Sequence, residues 1–363
     1  MKKTFTILIL TAFLSLNYFN ANAKVWRLNN SGANADFNNW TAAYNGASAG
    51  DTIYVESSPT SYGDFSLSKP LTLIGTGYFL QENLPTQFKN IWNATCHEVS
   101  FELGSEGSCF YGFTIGYAIN IDCGNIIISR NKINNIAFGG GTNFSNIKIS
   151  QNYIGYISSG ATNTISNVLI NNNFIYIDFG LPNWYLYEYE MDPYAVINLQ
   201  ANITGSIINN IIVGYGVFLQ YFYPNNGNSI SNQWHYCPAT KVSGFFIVNN
   251  IIKQGSIANS SLNICSNNIC NSTQLTVTDG NQANVDMSTV FVGSGSTDGQ
   301  WKLKEGSPAI GAGLGGVDCG MFGGSEPYVL SGMPSIPAVY NIVMPTSVVG
   351  NNNLHVTVSA KAH

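Results

Sequence analysis

Three stretches of this chain repeat one pattern without gaps: Asn125 to Ile133, Asn146 to Ile154 and Asn167 to Ile175, each offset by 21 residues from the last. Within each stretch, apolar positions alternate with period two, the signature of a strand with one buried face. Ile126 and Ile128 are expected to point inward, Ile127 and Ser129 outward. An asparagine follows (Asn131, Asn152 and Asn173), then another outward and inward pair. The phrase returns at Ile207–Ile212 and Ile247–Ile252, with Asn210 and Asn250 in the asparagine place, and a weaker copy ends at Asn267. A rung this short holds three brief strands and three turns. It cannot bury its inner face alone, whereas a stack of rungs can. The pattern therefore predicts an all-β, single-stranded right-handed parallel β-helix, a solenoid with rungs of about 21 residues. The competing solenoid of similar period, a leucine-rich horseshoe, needs leucine-rich and helical segments that are missing here. The repeated asparagine is expected to sit in a left-handed bend, which Asn tolerates better than other non-glycine residues. Stacked, these amides would bond from rung to rung at about 4.8 Å.

Solenoid ends need caps. Asn39 followed by Trp40-Thr41-Ala42-Ala43-Tyr44 predicts a short N-terminal capping helix with Asn39 as its N-cap. It leads into Ala49-Gly50-Asp51-Thr52-Ile53-Tyr54-Val55, then Tyr62-Gly63, then Lys69-Pro70-Leu71-Thr72-Leu73-Ile74-Gly75. This order resembles the first rungs of secreted bacterial right-handed β-helix proteins, including pectate-lyase-like and chondroitinase-B-like enzymes. Ser307-Pro308-Ala309-Ile310-Gly311-Ala312-Gly313, followed by Asp318-Cys319-Gly320-Met321-Phe322-Gly323, resembles their closing rung. Gly75-Thr76-Gly77-Tyr78-Phe79-Leu80 and Gly104-Ser105-Glu106-Gly107-Ser108 look like a subgroup found in Bacteroidetes. The resemblance covers nearly all of the chain after its leader and implies the fold. No catalytic set of those enzymes carries over to positions of this sequence.

The leader is residues 1–23: Lys2 and Lys3, an apolar run from Phe5 to Leu16, and Ala21-Asn22-Ala23 as a small-x-small cleavage site. The apolar run is shorter than the ~20 residues of a membrane span. The expected product is exported to the periplasm, cell surface or medium, with no transmembrane span. The β-helix is expected over 24–326, and 327–363 reads as a proline-punctuated tail with one strand-like run, Leu354 to Ala360.

Composition narrows the partner. Losing Lys2 and Lys3 takes the formal charge from −5 (14 basic, 19 acidic) to −7 (12 basic, 19 acidic), which argues against nucleic acid. Charged residues are only 9% of the chain, against about 25% in an average soluble protein, and Asn, Gly, Ser and Thr supply the polarity. The seven cysteines form no CxxC pair, so no zinc site is indicated, and most read as small buried apolar groups. Arg130 and Lys132, beside the repeated asparagine, read as solvated groups.

Chemistry is expected where the period breaks. Asn173 to Asn210 spans 37 residues and Asn210 to Asn250 spans 40, excesses of 16 and 19 over the period. The insertions, 180–193 and 223–238, are expected to leave opposite edges of one sheet. Tyr194–Gln200 and Gly216–Phe222 would then be successive strands of a groove floor showing Asn198, Gln200, Phe218 and Gln220. Trp184, Tyr187, Tyr189, Tyr223 and Trp234 would wall the groove. Flat aromatic faces flanked by amides suit sugar rings. The predicted partner is a polysaccharide or cell-surface glycan, bound by a monomer; the competing role for these aromatics is to pin the loops to the stack. Glu188, Glu190, Asp192 and His235 are the candidate catalytic groups. Paired carboxylates could act as general acid and base on a glycosidic bond, which would make the protein a hydrolase. A lyase would need a base such as His235, Lys241 or a tyrosine. The same carboxylates could hold Ca²⁺, although no motif indicates a metal or cofactor. A structural or adhesive shaft without a ligand is the third reading.

Overall fold

A computed structural model describes residues 23–83, 92–160, 162–176, 196–221, 231–237, 240–258, 262–345 and 353–361. Residues 1–22 of the leader and the first insertion lie outside these residues. The chain winds into a solenoid of parallel strands. A ten-stranded sheet, face A, runs from Val25–Leu28 to Ile264–Ser266, every neighbour parallel. Ile147 sits between Ile126 and Val168, and Ile149 between Ile128 and Ile170. The second sheet bends into two faces. Strand Tyr153–Ser159 pairs with Phe174–Tyr176 through its first half (face B) and with Ile197–Asn198 through its second half (face C). At this B/C corner the strands come close: a Cβ on Gly155 would lie 2.3 Å from the Asn134 carbonyl oxygen.

The alternation read from the sequence holds at the inward positions, whereas Ser129, expected outward, is buried together with its stacked equivalents Ser150 and Asn171. Ile53, Leu73, Phe110, Ile128, Ile149, Ile170, Ile207 and Ile247 form a fully buried column behind face A. Asn131, Asn152, Asn173, Asn210, Asn250 and Asn268 are likewise fully buried. Each Oδ1 accepts the backbone N–H of the asparagine one rung earlier, from Asn131 N to Asn152 Oδ1 (2.8 Å) to Asn250 N to Asn268 Oδ1 (3.0 Å). Each Nδ2 donates to main-chain carbonyls, as Asn152 does to Ile128 O at 2.9 Å. A buried amide survives because its donors and acceptor are used. The ladder adds Asn281, which accepts from Asn268 N at 3.0 Å.

The left-handed bend, however, belongs to the residue before each ladder asparagine: Arg130, Gln151, Asn172, Asn209, Asn249 and Asn267 have φ between 54° and 60°. The bend turns the next residue inward, so the ladder asparagine takes ordinary backbone and points its amide into the core.

The N-terminal cap is as expected. Helix Trp40–Gly46 starts at Asn39, whose Oδ1 accepts from Ala42 N at 2.9 Å. Trp40 stacks on Phe65 at 4.0 Å, closing the first rung. Asp51 accepts from Lys24 N, Trp26 Nε1 and Ser48 N, each at 2.8 Å.

The expected closing rung is different. Residues 307–333 do not stack beneath the last rung; they run back along the solenoid as a strap over the left-handed column. Asn267 Nδ2 donates to Ala312 O, and Leu314 N donates to Asn249 Oδ1. Asn209 Nδ2 reaches Asp318 O, and Asn172 Nδ2 reaches Met321 O and Gly323 O. Gln151 Nε2 reaches Pro327 O, and Arg130 Nη1 reaches Met333 O. The strap seals a second core in which Phe174, Ile211, Ile251 and Ile269 meet Ala309, Cys319, Met321 and Tyr328. These rung residues directly follow the ladder asparagine, an outward position by alternation, and are apolar because the strap covers them. Past the strap, Ala338–Val343 pairs antiparallel with Thr357–Lys361. The sequence pattern pointed only to the second of these strands.

Candidate functional site

The floor of the expected groove is corrected first. Strand Tyr215–Tyr221, which carries Phe218 and Gln220, does not stack on Ile197–Asn198. It pairs antiparallel with Ser231–Cys237, with Phe218 opposite Trp234 and Val217 opposite His235. Thr240–Lys241 takes the stacked place on face C instead. Alternation alone could not separate the two, because a ribbon and a rung strand share the same period. Asn198 and Gln200 do lie on face C. Asn198 is half-buried between Ser158 and Lys241 in the outward row, and Gln200 is exposed. The candidates Trp184, Tyr187, Tyr189, Glu188, Glu190, Asp192 and Tyr223 lie outside the described residues.

The insertions also leave differently from the expectation. The first falls between Phe174–Tyr176 on face B and Ile197–Asn198 on face C. The second falls between Ile211–Val213 on face B and Thr240–Lys241 on face C. These strands are direct neighbours. Both insertions therefore spring from the same B/C corner on successive rungs, rather than from opposite edges.

That corner carries a cleft of about 440 Å³. Phe79, Tyr153 and Tyr176 supply rings, Thr114, Asn134 and Thr297 supply polar groups, and Lys132 supplies the charge. Tyr176 is the last described residue before the first insertion, so the cleft opens at the root of that insertion. Phe79 meets Tyr153 edge to face at 5.2 Å, and Tyr153 stacks on Phe174 at 4.8 Å. The Lys132 ammonium lies 4.9 Å from the Phe79 ring centre. Lys132 and Tyr153 occupy the outward position that is Ile211 or Ile251 in later rungs. Where that residue is Ile the strap covers it; where it is Lys or Tyr the cleft stays open. The switch from Lys and Tyr to Ile was the signal in the sequence, but it reads as a signal only once the strap is known.

A second cleft of about 610 Å³ lies between face A and the strap, lined by Ile74, Tyr111, Ile127, Pro327 and Pro334 among others. Its charged groups bind the chain itself. Lys148 Nζ pairs with Glu326 Oε1 at 2.7 Å, and Arg130 Nε donates to Gln151 Oε1 at 2.8 Å. Burial pulls the Arg130 guanidinium below its ordinary pKa. Arg130 is thus a strap anchor, which corrects its reading as a solvated group.

At the N-terminal end of the B/C corner, Asp64, His97 and Glu98 bring their side chains together. His97 Nδ1 lies 2.9 Å from Asp64 Oδ1, and its ring stacks on Tyr117 at 5.4 Å, 6° from parallel. Nothing in the sequence marked this group, because Asp64 and His97 are 33 residues apart and meet only by rung stacking.

No family model matches the chain, and neither do any curated protein or solved structure.

Proposed function

We propose that this protein is an exported, monomeric, right-handed parallel β-helix of about 21-residue rungs, akin to the pectate-lyase-like superfamily, that binds a polysaccharide or cell-surface glycan. One observation carries this reading: an aromatic cleft with amide and hydroxyl edges sits at the same corner from which both aromatic-rich insertions spring. Rings of Phe79, Tyr153 and Tyr176 offer faces to the C–H side of a sugar, and Asn134, Thr114 and Thr297 offer partners to its hydroxyls. The outward row of face C runs through Ser66, Ser100, Asn120, Ala137, Ser158 and Asn198, polar at all but one position. Binding is the primary reading because the described lining of the cleft offers rings, an amide and hydroxyls suited to a sugar.

The test is a titration of the mature chain against a polysaccharide panel. Tyr176→Ala and Lys132→Ala should each weaken the best ligand about tenfold, or about 1.4 kcal/mol. Unchanged affinity in both variants would remove the cleft from the account. Unsaturated products would make the protein a lyase, and new reducing ends alone a hydrolase. Binding to no glycan at all would favour a structural shaft.

A further inference from the structure

We propose that Asp64, His97 and Glu98 form a site for one borderline divalent cation of the Zn²⁺ class. Their three ligand atoms, one imidazole nitrogen and two carboxylate oxygens, all lie within 4.8 Å of one another. The 2.9 Å separation of His97 Nδ1 and Asp64 Oδ1 is close to the edge of a coordination shell. Ligands about 2.1 Å from Zn²⁺ stand roughly 3.0–3.4 Å apart at octahedral to tetrahedral angles. The side chains are held in place from outside the group. The Tyr117 ring stacks on His97, and Asn120 Nδ2 donates to Glu98 Oε1. Partners of this kind orient metal ligands and tune affinity.

Charge points the same way. Two carboxylates and one imidazole meet here, and His97 is the only basic group in ion-pair contact with either acid among the described residues. An imidazole nitrogen selects Zn²⁺, Ni²⁺ or Cu²⁺ over Ca²⁺, which prefers an all-oxygen set. The Asp64 and His97 side chains are 69% and 61% exposed, so the remaining coordination positions stay open to water or to an oxygen of an outside ligand.

The experiment is isothermal titration of the chelator-stripped mature chain with ZnCl₂ and, separately, CaCl₂. One Zn²⁺ per chain should bind, with Ca²⁺ at least tenfold weaker. His97→Ala should abolish that binding, Asn120→Ala should weaken it about tenfold, and His235→Ala should leave it unchanged. Circular dichroism should show His97→Ala and Asn120→Ala folded, since His97 is exposed and Asn120 half-buried, and it checks the fold of His235→Ala as a control. No Zn²⁺ bound by the unmodified chain, or the same binding in His97→Ala, would overturn the proposal. So would loss of binding in His235→Ala alone, or Ca²⁺ bound as tightly as Zn²⁺.

Discussion

The ladder asparagine is the residue on which each rung turns. Asn152 uses both amide atoms and its backbone N–H inside the core, so no smaller side chain can replace it. In Asn152→Ala, the backbone N–H of Asn131 and the carbonyl of Ile128 lose partners. Each orphaned buried group costs about 1–3 kcal/mol, and thermal unfolding should show a clear drop in midpoint. Asn167→Ala, at an exposed position whose backbone is also left-handed (φ 55°), should cost less, about 1–2 kcal/mol, and orphans no buried group. The cysteines follow the same logic of burial. Burial pushes the Cys265 thiol up to about 11 and the Cys270 and Cys319 thiols up to about 12, and all three are unpaired. At pH 8 these thiols should resist a thiolate-selective reagent in the native protein and react on unfolding, read by mass spectrometry.

Among the elements, the strap is the one that neither period nor composition announced. Its anchors are long-range. Asp298, fully buried, accepts from Ser331 N at 2.7 Å, Asn83 Nδ2 at 2.9 Å and Ser296 Oγ at 3.0 Å. The Tyr78 and Tyr328 hydroxyls meet beside it at 2.5 Å. Asp298→Ala leaves those donors unmatched and should loosen the strap, seen as faster amide exchange over 307–333. Glu326 adds a pH dependence. The hydrogen bond from Lys148, then that from Asn171, hold its carboxyl below the ordinary value, against the opposing effect of burial. A depressed folded pKa contributes stability above the unfolded value, about 4.3, and that contribution is lost as pH falls through the folded value. Once corrected for the slower intrinsic exchange at low pH, strap protection should therefore fall on acidification below about pH 4.3, and Glu326→Gln should flatten this fall.

For the molecule as a whole, the strap changes how a solenoid should unfold. A bare stack behaves as a row of units coupled only to their neighbours. Here one segment bonds to six successive left-handed residues, from Asn267 to Arg130, and so ties distant rungs together. The full chain should melt in one sharp transition. A chain ending at residue 306 uncovers Phe174, Ile211, Ile251 and Ile269 and should melt broadly or aggregate, as scanning calorimetry and light scattering would show.

The sequence by itself determined the rung. Period-two alternation around Ile126, Ile128 and their copies fixes which side chains go inside, and a buried asparagine at a fixed offset leaves few ways to satisfy its amide except by stacking. The N-cap at Asn39 is equally local. What only the tertiary structure decided depends on contacts between residues far apart in the chain. Alternation cannot say whether Tyr215–Tyr221 joins a rung or folds on itself, so the floor assigned to Phe218 and Gln220 was misplaced. Gly311 to Met333 carry no period that marks a strap; its path is set by side-chain amides that reach out from the left-handed column. The corner cleft and the Asp64–His97–Glu98 group exist because stacking brings together residues of separate rungs, and a linear pattern holds no record of which outward side chains become neighbours.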